Sequence, residues 1–153
     1  MSHVESRLAE LGIALPQAAP AAANYAPTCL HDGMLYISGQ LPLVDGKASH
    51  KGKLGRDLSL EDGQAAARNC AINIIAQAKG ALGDLDRVRR VVKLTGFVNS
   101  DPSFSDQPKV VNGASDLMGQ AFGDAGVHSR SAVGAAALPF DVAVEVEAII
   151  AVG

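Results

Sequence analysis

The sequence predicts one α/β domain in which an optional short leading helix precedes the order ββαβαββ. Three observations predict it. A strand-like pair surrounds Asp32-Gly33, two segments with apolar residues at three- and four-residue steps flank a strand, and two more strand-like runs close the chain. A length of 153 residues suits a single domain. The composition is 48% hydrophobic but only 4% aromatic, so alanine, valine, leucine and isoleucine must do most of the packing.

Taken in order, Val4, Leu8 and Leu11 have helical spacing between Ser2, an N-cap candidate, and Gly12, a stop. Residues 13–24 hold many alanines with Pro16 and Pro20, which suits an extended crossing segment. Residues 25–43 read as strands: Cys29-Leu30-His31 and Met34-Leu35-Tyr36-Ile37 flank a dipeptide that accepts the positive φ of a tight hairpin turn. Residues 45–57, with three glycines, three lysines, His50 and Arg56, read as a solvated loop. From Ser59 to Leu82 runs the strongest helix signal. Ser59 and Asp62 resemble a capping box, and Ala67, Cys70, Ala71, Ile74, Ala78 and Leu82 form one small-residue stripe able to lie close on a sheet.

A strand follows over Val88 to Val98, then a turn at Asn99-Ser100-Asp101-Pro102. Residues 108–122 make the second helix, with Val111, Ala114, Leu117, Met118 and Phe122 facing inward. Val127 to Leu138 and Val142 to Val152 are the last strands, joined through Leu138-Pro139-Phe140-Asp141 and expected to pair as a hairpin. An open sheet of this size leaves apolar surface to hide, which predicts oligomerisation.

Composition also excludes. A net charge of -3, with no basic stripe interleaved with aromatics, gives no general attraction to nucleic acid or anionic membrane. Glu5, Arg7 and Glu10 interrupt any export signal, and no apolar run approaches the roughly 20 residues of a membrane span. A cytoplasmic location is expected. Cys29 and Cys70 are expected to be reduced and mostly buried. His3, His31, His50 and His128 lack metal-ligand spacing, so neither metal nor cofactor is expected.

Candidate chemistry sits near the C-terminus. Alternation puts His128, Arg130, Ala132 and Gly134 on one strand face. An arginine among small residues in a late strand must find an anion or water. In the final strand Val142, Val144 and Val146 take one face, Glu145 and Glu147 the other. A hairpin register centred on residues 138–141 sets Arg130 opposite residue 149, too far from Glu145 for an ion pair. That leaves Arg130 for a ligand carboxylate or another subunit, with a structural interface salt bridge as the plainer alternative. Arginine suits a carboxylate because its planar fork donates two parallel hydrogen bonds.

Several motifs then occur in a familiar sequence: Ser38-Gly39-Gln40-Leu41-Pro42, Phe97-Val98-Asn99, Asn112, Ser129-Arg130-Ser131, and Leu138-Pro139 followed by Val144-Glu145-Val146-Glu147-Ala148-Ile149. Together they resemble the signature of the reactive-intermediate deaminase (RidA/YjgF) family, in a divergent YjgF-like branch. The resemblance covers residues 20–152 as the family core of a single domain spanning 1–153, with 1–19 as an N-terminal extension. It implies a chorismate mutase-like fold with helices on one face of the sheet, and a homotrimer with clefts between subunits.

The family's best-known members hydrolyse enamine and imine products of pyridoxal-phosphate enzymes, such as 2-aminoacrylate, to 2-keto acids and ammonia. By motif, the resemblance implies that Arg130 holds the substrate carboxylate and that Glu145 orients the attacking water. Tyr25, Ser38, Gly39 and Asn112 would line the cleft. The expected partner is a small carboxylate substrate, with no nucleic acid and no membrane. Many family members follow the arginine with Ser-Cys; here Ser131-Ala132 stands instead, so no thiol acts at that place. A non-catalytic trimer that binds carboxylate metabolites is the alternative, and endoribonuclease activity, a label attached to parts of the family, ranks last.

Overall fold

The computed structural model describes residues 2–153. Helix α1 (His3–Glu10) opens with a reciprocal cap: Ser2 Oγ accepts from the Glu5 amide at 3.0 Å, and the Glu5 carboxylate accepts from the Ser2 amide at 3.1 Å. Val4 and Leu8 are its buried residues. Asp86, far along the chain, accepts from the His3 and Val4 amides at 2.9 and 3.1 Å. A carboxylate at a helix N-terminus satisfies orphan amides, so Asp86 ties the leading helix to the body of the domain. The segment 13–24 is extended and runs past the second helix, where Gln77 Nε2 donates to the Ala19 carbonyl at 2.7 Å.

Strands β1 (Thr28–His31) and β2 (Met34–Gln40) pair antiparallel across Asp32 (φ 49°) and Gly33 (φ 74°). Two successive left-handed residues match the right-handed twist of the strands. A second, two-residue-per-side hairpin, β3 (Leu43–Val44) with β4 (Lys47–Ala48), turns at Asp45-Gly46 in the same way. It lies at the edge of the stretch expected to be a solvated loop. Leu54, inside that stretch, is fully buried. One apolar residue among lysines and glycines has no periodicity to betray it.

Helix α2 (Leu60–Leu82) carries the expected Ser59–Asp62 capping box and ends at Gly83 (φ 78°). Its expected stripe is buried throughout. Strand β5 (Val88–Asn99), helix α3 (Gln107–Phe122), strand β6 (Ser129–Ala135) and strand β7 (Val144–Val152) complete the chain. Apart from the added β3–β4 hairpin, the element order agrees with the sequence reading, with β6 and β7 each starting two residues later than expected.

Strand pairing does not agree. The sheet order is β1-β2-β7-β5-β6, with β5 and β6 parallel and the other neighbours antiparallel. β6 and β7 therefore form no hairpin; β5 lies between them, and Arg130 aligns with Leu94 rather than standing opposite Ile149. The physical reason is burial. Val144, Val146, Ala148 and Ile150 are all nearly inaccessible, and a strand so apolar on one face belongs in the centre under the helices. The connection from β6 crosses the end of β5, where the Asn99 amide donates to the Ala143 carbonyl at 2.9 Å.

Both long helices lie on one face of this sheet, packed on each other and on β7, β2 and β5. The opposite face carries Tyr36, Lys93, Thr95, Phe97, Glu145, Glu147 and Ile149 by strand register. Cys29, expected to be mostly buried, pairs with Tyr36 there and is exposed, whereas Cys70 on α2 is buried. No helix among the described residues is long and apolar enough to cross a membrane.

Candidate functional site

Arg130 leaves β6 on the helix side of the sheet, where its strand neighbours are Leu94 and, two residues on, the Gly96–Ala132 pair. A Cβ built on Gly96 would meet Val111 Cγ2 at 2.5 Å, so that row packs directly under α3. The guanidinium reaches the first turns of α3. Its Nη1 donates to Asn112 Oδ1 at 2.9 Å and to Ser115 Oγ at 3.1 Å, and its Nη2 donates to the Pro108 carbonyl at 3.1 Å. Positions 108, 112 and 115 recur on one helical face, so a single rigid element supplies all three acceptors. The Pro108 carbonyl lies in the first turn, close to Pro108's place at the helix start.

Counting hydrogens defines what the group has left. Nη1 spends both of its hydrogens and Nη2 one, which leaves Nε–H and the second Nη2–H. Nε and Nη2 border the same edge of the guanidinium, the edge that takes a carboxylate side-on with two parallel hydrogen bonds. No carboxylate of the described residues forms an ion pair with Arg130. It is a braced cation with a free fork.

The second group of candidates lies on β2 and β7. In the β2–β7 ladder Ile37 faces Ala148 and Gln40 faces Val146, so three steps on β2 match two on β7. The extra residue falls at Ser38-Gly39, a bulge of the kind that re-aims side chains beside functional sites. It brings the Gly39 backbone against Glu145: a Cβ there would lie 2.0 Å from Glu145 Oε2. Only glycine leaves that carboxylate its place. Ser38 Oγ donates to the Ala26 carbonyl at 2.8 Å and fixes the approach of the preceding segment. Tyr25, half exposed, lines a small cavity of about 70 Å³ together with Pro27, Gly39, Gln40 and Gln77.

Glu145 is half-buried, and burial raises its carboxyl above the ordinary glutamate range, with the nearby Glu147 charge adding to the effect. A carboxylate of raised basicity with no cation of its own is suited to accept a proton. A larger cavity of about 510 Å³, lined by Leu41, Lys47, Lys51, Phe140 and Val142 among others, contains neither Arg130 nor Glu145. The chemistry-bearing residues, rather than cavity size, mark the candidate site.

Asn112 is thus joined to Arg130, and Gly39 to Glu145, but the two groups do not meet within one chain. Glu145 aligns with Phe97 and Arg130 with Leu94, two strands apart and three residues out of step on β5. At strand spacings of about 4.8 Å and rises of about 3.3 Å that is roughly 10 Å each way, on opposite faces. A ligand held by Arg130 of one chain meets a Glu145 only if a second copy supplies it.

Ser115 and His128 were missed as members of the Arg130 cluster. His128 Nε2 lies 2.8 Å from Ser115 Oγ, and its Nδ1 lies 2.6 Å from the Gly126 carbonyl. Strand alternation had already put His128 on the Arg130 face, and Ser115 stands one turn beyond Asn112; neither signal names a role. Ala132, at the position of the family cysteine, packs against the core. No group of three or more histidine, cysteine or acidic side chains that would hold a metal occurs among the described residues.

Comparison with known proteins is consistent across sequence and structure. Residues 5–150 match the family described as "YjgF/chorismate_mutase-like, putative endoribonuclease". Protein TCP17 of Trypanosoma cruzi is 52% identical over 149 residues, which cover 97% of this chain and 93% of that protein. The crystal structure of protein Atu1372 of Agrobacterium tumefaciens superposes with a TM-score of 0.93 at 49% identity, covering 98% of this chain and 92% of that one. E. coli TdcF, solved with bound serine, superposes with a TM-score of 0.65 at 25% identity over 90% of this chain and 94% of its own.

Proposed function

This chain belongs to the YjgF/chorismate mutase-like family, and from that premise we propose that it hydrolyses short enamine or imine acids to 2-keto acids and ammonia. The observation that carries the reading is the unspent Nε/Nη2 edge of Arg130, a preorganised site for one carboxylate. The serine bound by TdcF, itself an amino acid with a carboxylate, supports a ligand of this class.

An imine carbon is already electrophilic. Water adds to the C=N bond, the nitrogen takes a proton, and the resulting carbinolamine expels ammonia to leave the ketone. Arg130 grips the carboxylate, so the reacting carbon is fixed in place. Glu145 accepts a proton from the attacking water and returns it to the departing nitrogen, for which its raised basicity is appropriate. Because Arg130 and Glu145 of one chain stand on opposite sheet faces, the site forms between copies, in keeping with a homotrimer that buries the open face.

The test is ammonia release when a pyridoxal enzyme generates 2-aminoacrylate in the presence of the purified protein. Removing two charge-assisted hydrogen bonds by Arg130→Ala should cost about 3 kcal/mol or more, roughly two orders of magnitude in kcat/KM. Ammonia release equal in wild type and Arg130→Ala overturns the assignment. Saturable binding of a keto acid without turnover would replace the enzyme by a carboxylate-binding trimer.

A further inference from the structure

We propose that His128 and Ser115 are positioning residues that hold Arg130 in its anion-gripping pose through a one-way chain of hydrogen bonds. The inference rests on the carboxylate-binding role given to Arg130 above and deepens it.

The direction of the chain follows from its ends. At one end the Gly126 carbonyl only accepts, so His128 Nδ1 carries the proton that bridges their 2.6 Å separation. A neutral ring protonated at Nδ1 presents a bare Nε2, which accepts from the Ser115 hydroxyl at 2.8 Å. With its hydrogen committed to His128, the Ser115 oxygen turns lone pairs toward Arg130 Nη1 at 3.1 Å. Every link runs from Arg130 through Ser115 and His128 to Gly126, and hydrogen bonds aligned in one sense reinforce each other.

Without His128 the Ser115 hydroxyl is a free rotor on a helix, and serine in that setting turns back to its own helical carbonyls. Arg130 would then keep Asn112 and Pro108 but lose the second acceptor on Nη1. The guanidinium gains a rotational freedom that must be paid out again on each binding event. Ser115 and His128 touch no substrate in this account; they act through Arg130. The three parts come from α3, from the segment after it and from β6, so the relay also locks the edge strand to the helix.

Two measurements test this. The first needs no ligand: nitrogen-15 NMR of the histidine rings should show His128 as the Nδ1–H tautomer, and Ser115→Ala should shift its Nε2 resonance. A His128 ring protonated only at Nε2 overturns the proposal. The second is pyruvate binding by calorimetry alongside steady-state kinetics. Ser115→Ala should raise the pyruvate Kd and the KM about tenfold, and His128→Ala about fivefold, with kcat nearly unchanged, since a carboxylate anchor is equally engaged in ground and transition states.

Ser115→Thr keeps the hydroxyl and His128→Gln keeps an acceptor for it, so both should stay within about twofold of wild type. Equal affinity in wild type, Ser115→Ala and His128→Ala overturns the positioning role while leaving the carboxylate site intact. Absence of pyruvate binding by wild type, with the NMR signature present, instead condemns the carboxylate reading and with it the purpose assigned to the relay.

Discussion

Replacing Gly39 with alanine tests the Glu145 assignment without touching Glu145. The added Cβ would lie 2.0 Å from Oε2, 2.8 Å from Cδ and 3.1 Å from Cγ of that side chain. A carbon–oxygen contact settles no closer than about 3.3 Å, so the carboxylate must retreat by about 1.3 Å. The atoms in the way are the end of a flexible side chain, and turning it off its rotamer costs about 1 kcal/mol. The fold should therefore persist with a slightly lowered melting temperature. Catalysis is less forgiving, because a displacement of about 1 Å in a proton-transfer group is worth about 100-fold in rate. The assay is kcat for ammonia release from 2-aminoacrylate, paired with thermal unfolding. Gly39→Ala should lose about 100-fold in kcat, and Gly39→Ala combined with Glu145→Gln should be no worse than Glu145→Gln alone, since both act on one group. A Gly39→Ala protein that is well folded and fully active removes Glu145 from the proton transfer.

Four further outcomes follow from the structure. Glu145 works as a carboxylate, and burial with the Glu147 charge favours its protonated form; activity should rise with pH through a midpoint above the ordinary glutamate range, and Glu145→Gln should flatten that limb of the pH–rate profile. Stability runs the opposite way: the raised carboxyl is fully favourable below the unfolded-state pKa, and its contribution is lost as pH rises through the folded value, so Glu145→Gln should unfold at higher denaturant than wild type near neutral pH. Asn99, fully buried, accepts from Lys53 Nζ at 2.7 Å and donates to the Gly52 carbonyl and Asp141 Oδ1, both at 3.1 Å. Asn99→Ala should cost about 1–3 kcal/mol in urea unfolding, since it leaves the buried Gly52 carbonyl without this donor and unties Lys53 and Asp141 on two neighbouring loops. Burial pushes the Cys70 thiol well up, so a thiol reagent followed by mass spectrometry should leave Cys70 unlabelled until the protein unfolds.

Local physics made most elements legible. The α2 stripe repeats over about four turns, and Asp32-Gly33 names its own hairpin. Strand partners were not legible in the same way. The β6 sequence of serine, alanine and glycine suits an edge or a hairpin equally, and the parallel pairing with β5 depends on where α3 sends the chain, which no local pattern states. The expectation that Arg130 avoids Glu145 survives on different grounds: they stand on opposite faces, not merely far apart on one hairpin. Of the site, Arg130, Glu145, Gly39 and Asn112 were visible as motif positions. The geometric reason for Gly39, a carboxylate lying over its backbone, needed the bulge in β2. The Ser115–His128 link joins residues 13 apart in sequence, across the end of a helix, where spacing carries no signal.

Under the proposed mechanism, one catalytic site takes its arginine from one copy and its glutamate from another. Mixing tests it: Arg130→Ala and Glu145→Gln proteins, each nearly inactive alone, are unfolded together in equal amounts and refolded as mixed assemblies. Random association gives about one site in four an intact arginine and an intact glutamate, so the mixture should recover about a quarter of wild-type ammonia release. A mixture no more active than its two components, despite verified subunit exchange, rules out a site shared between copies.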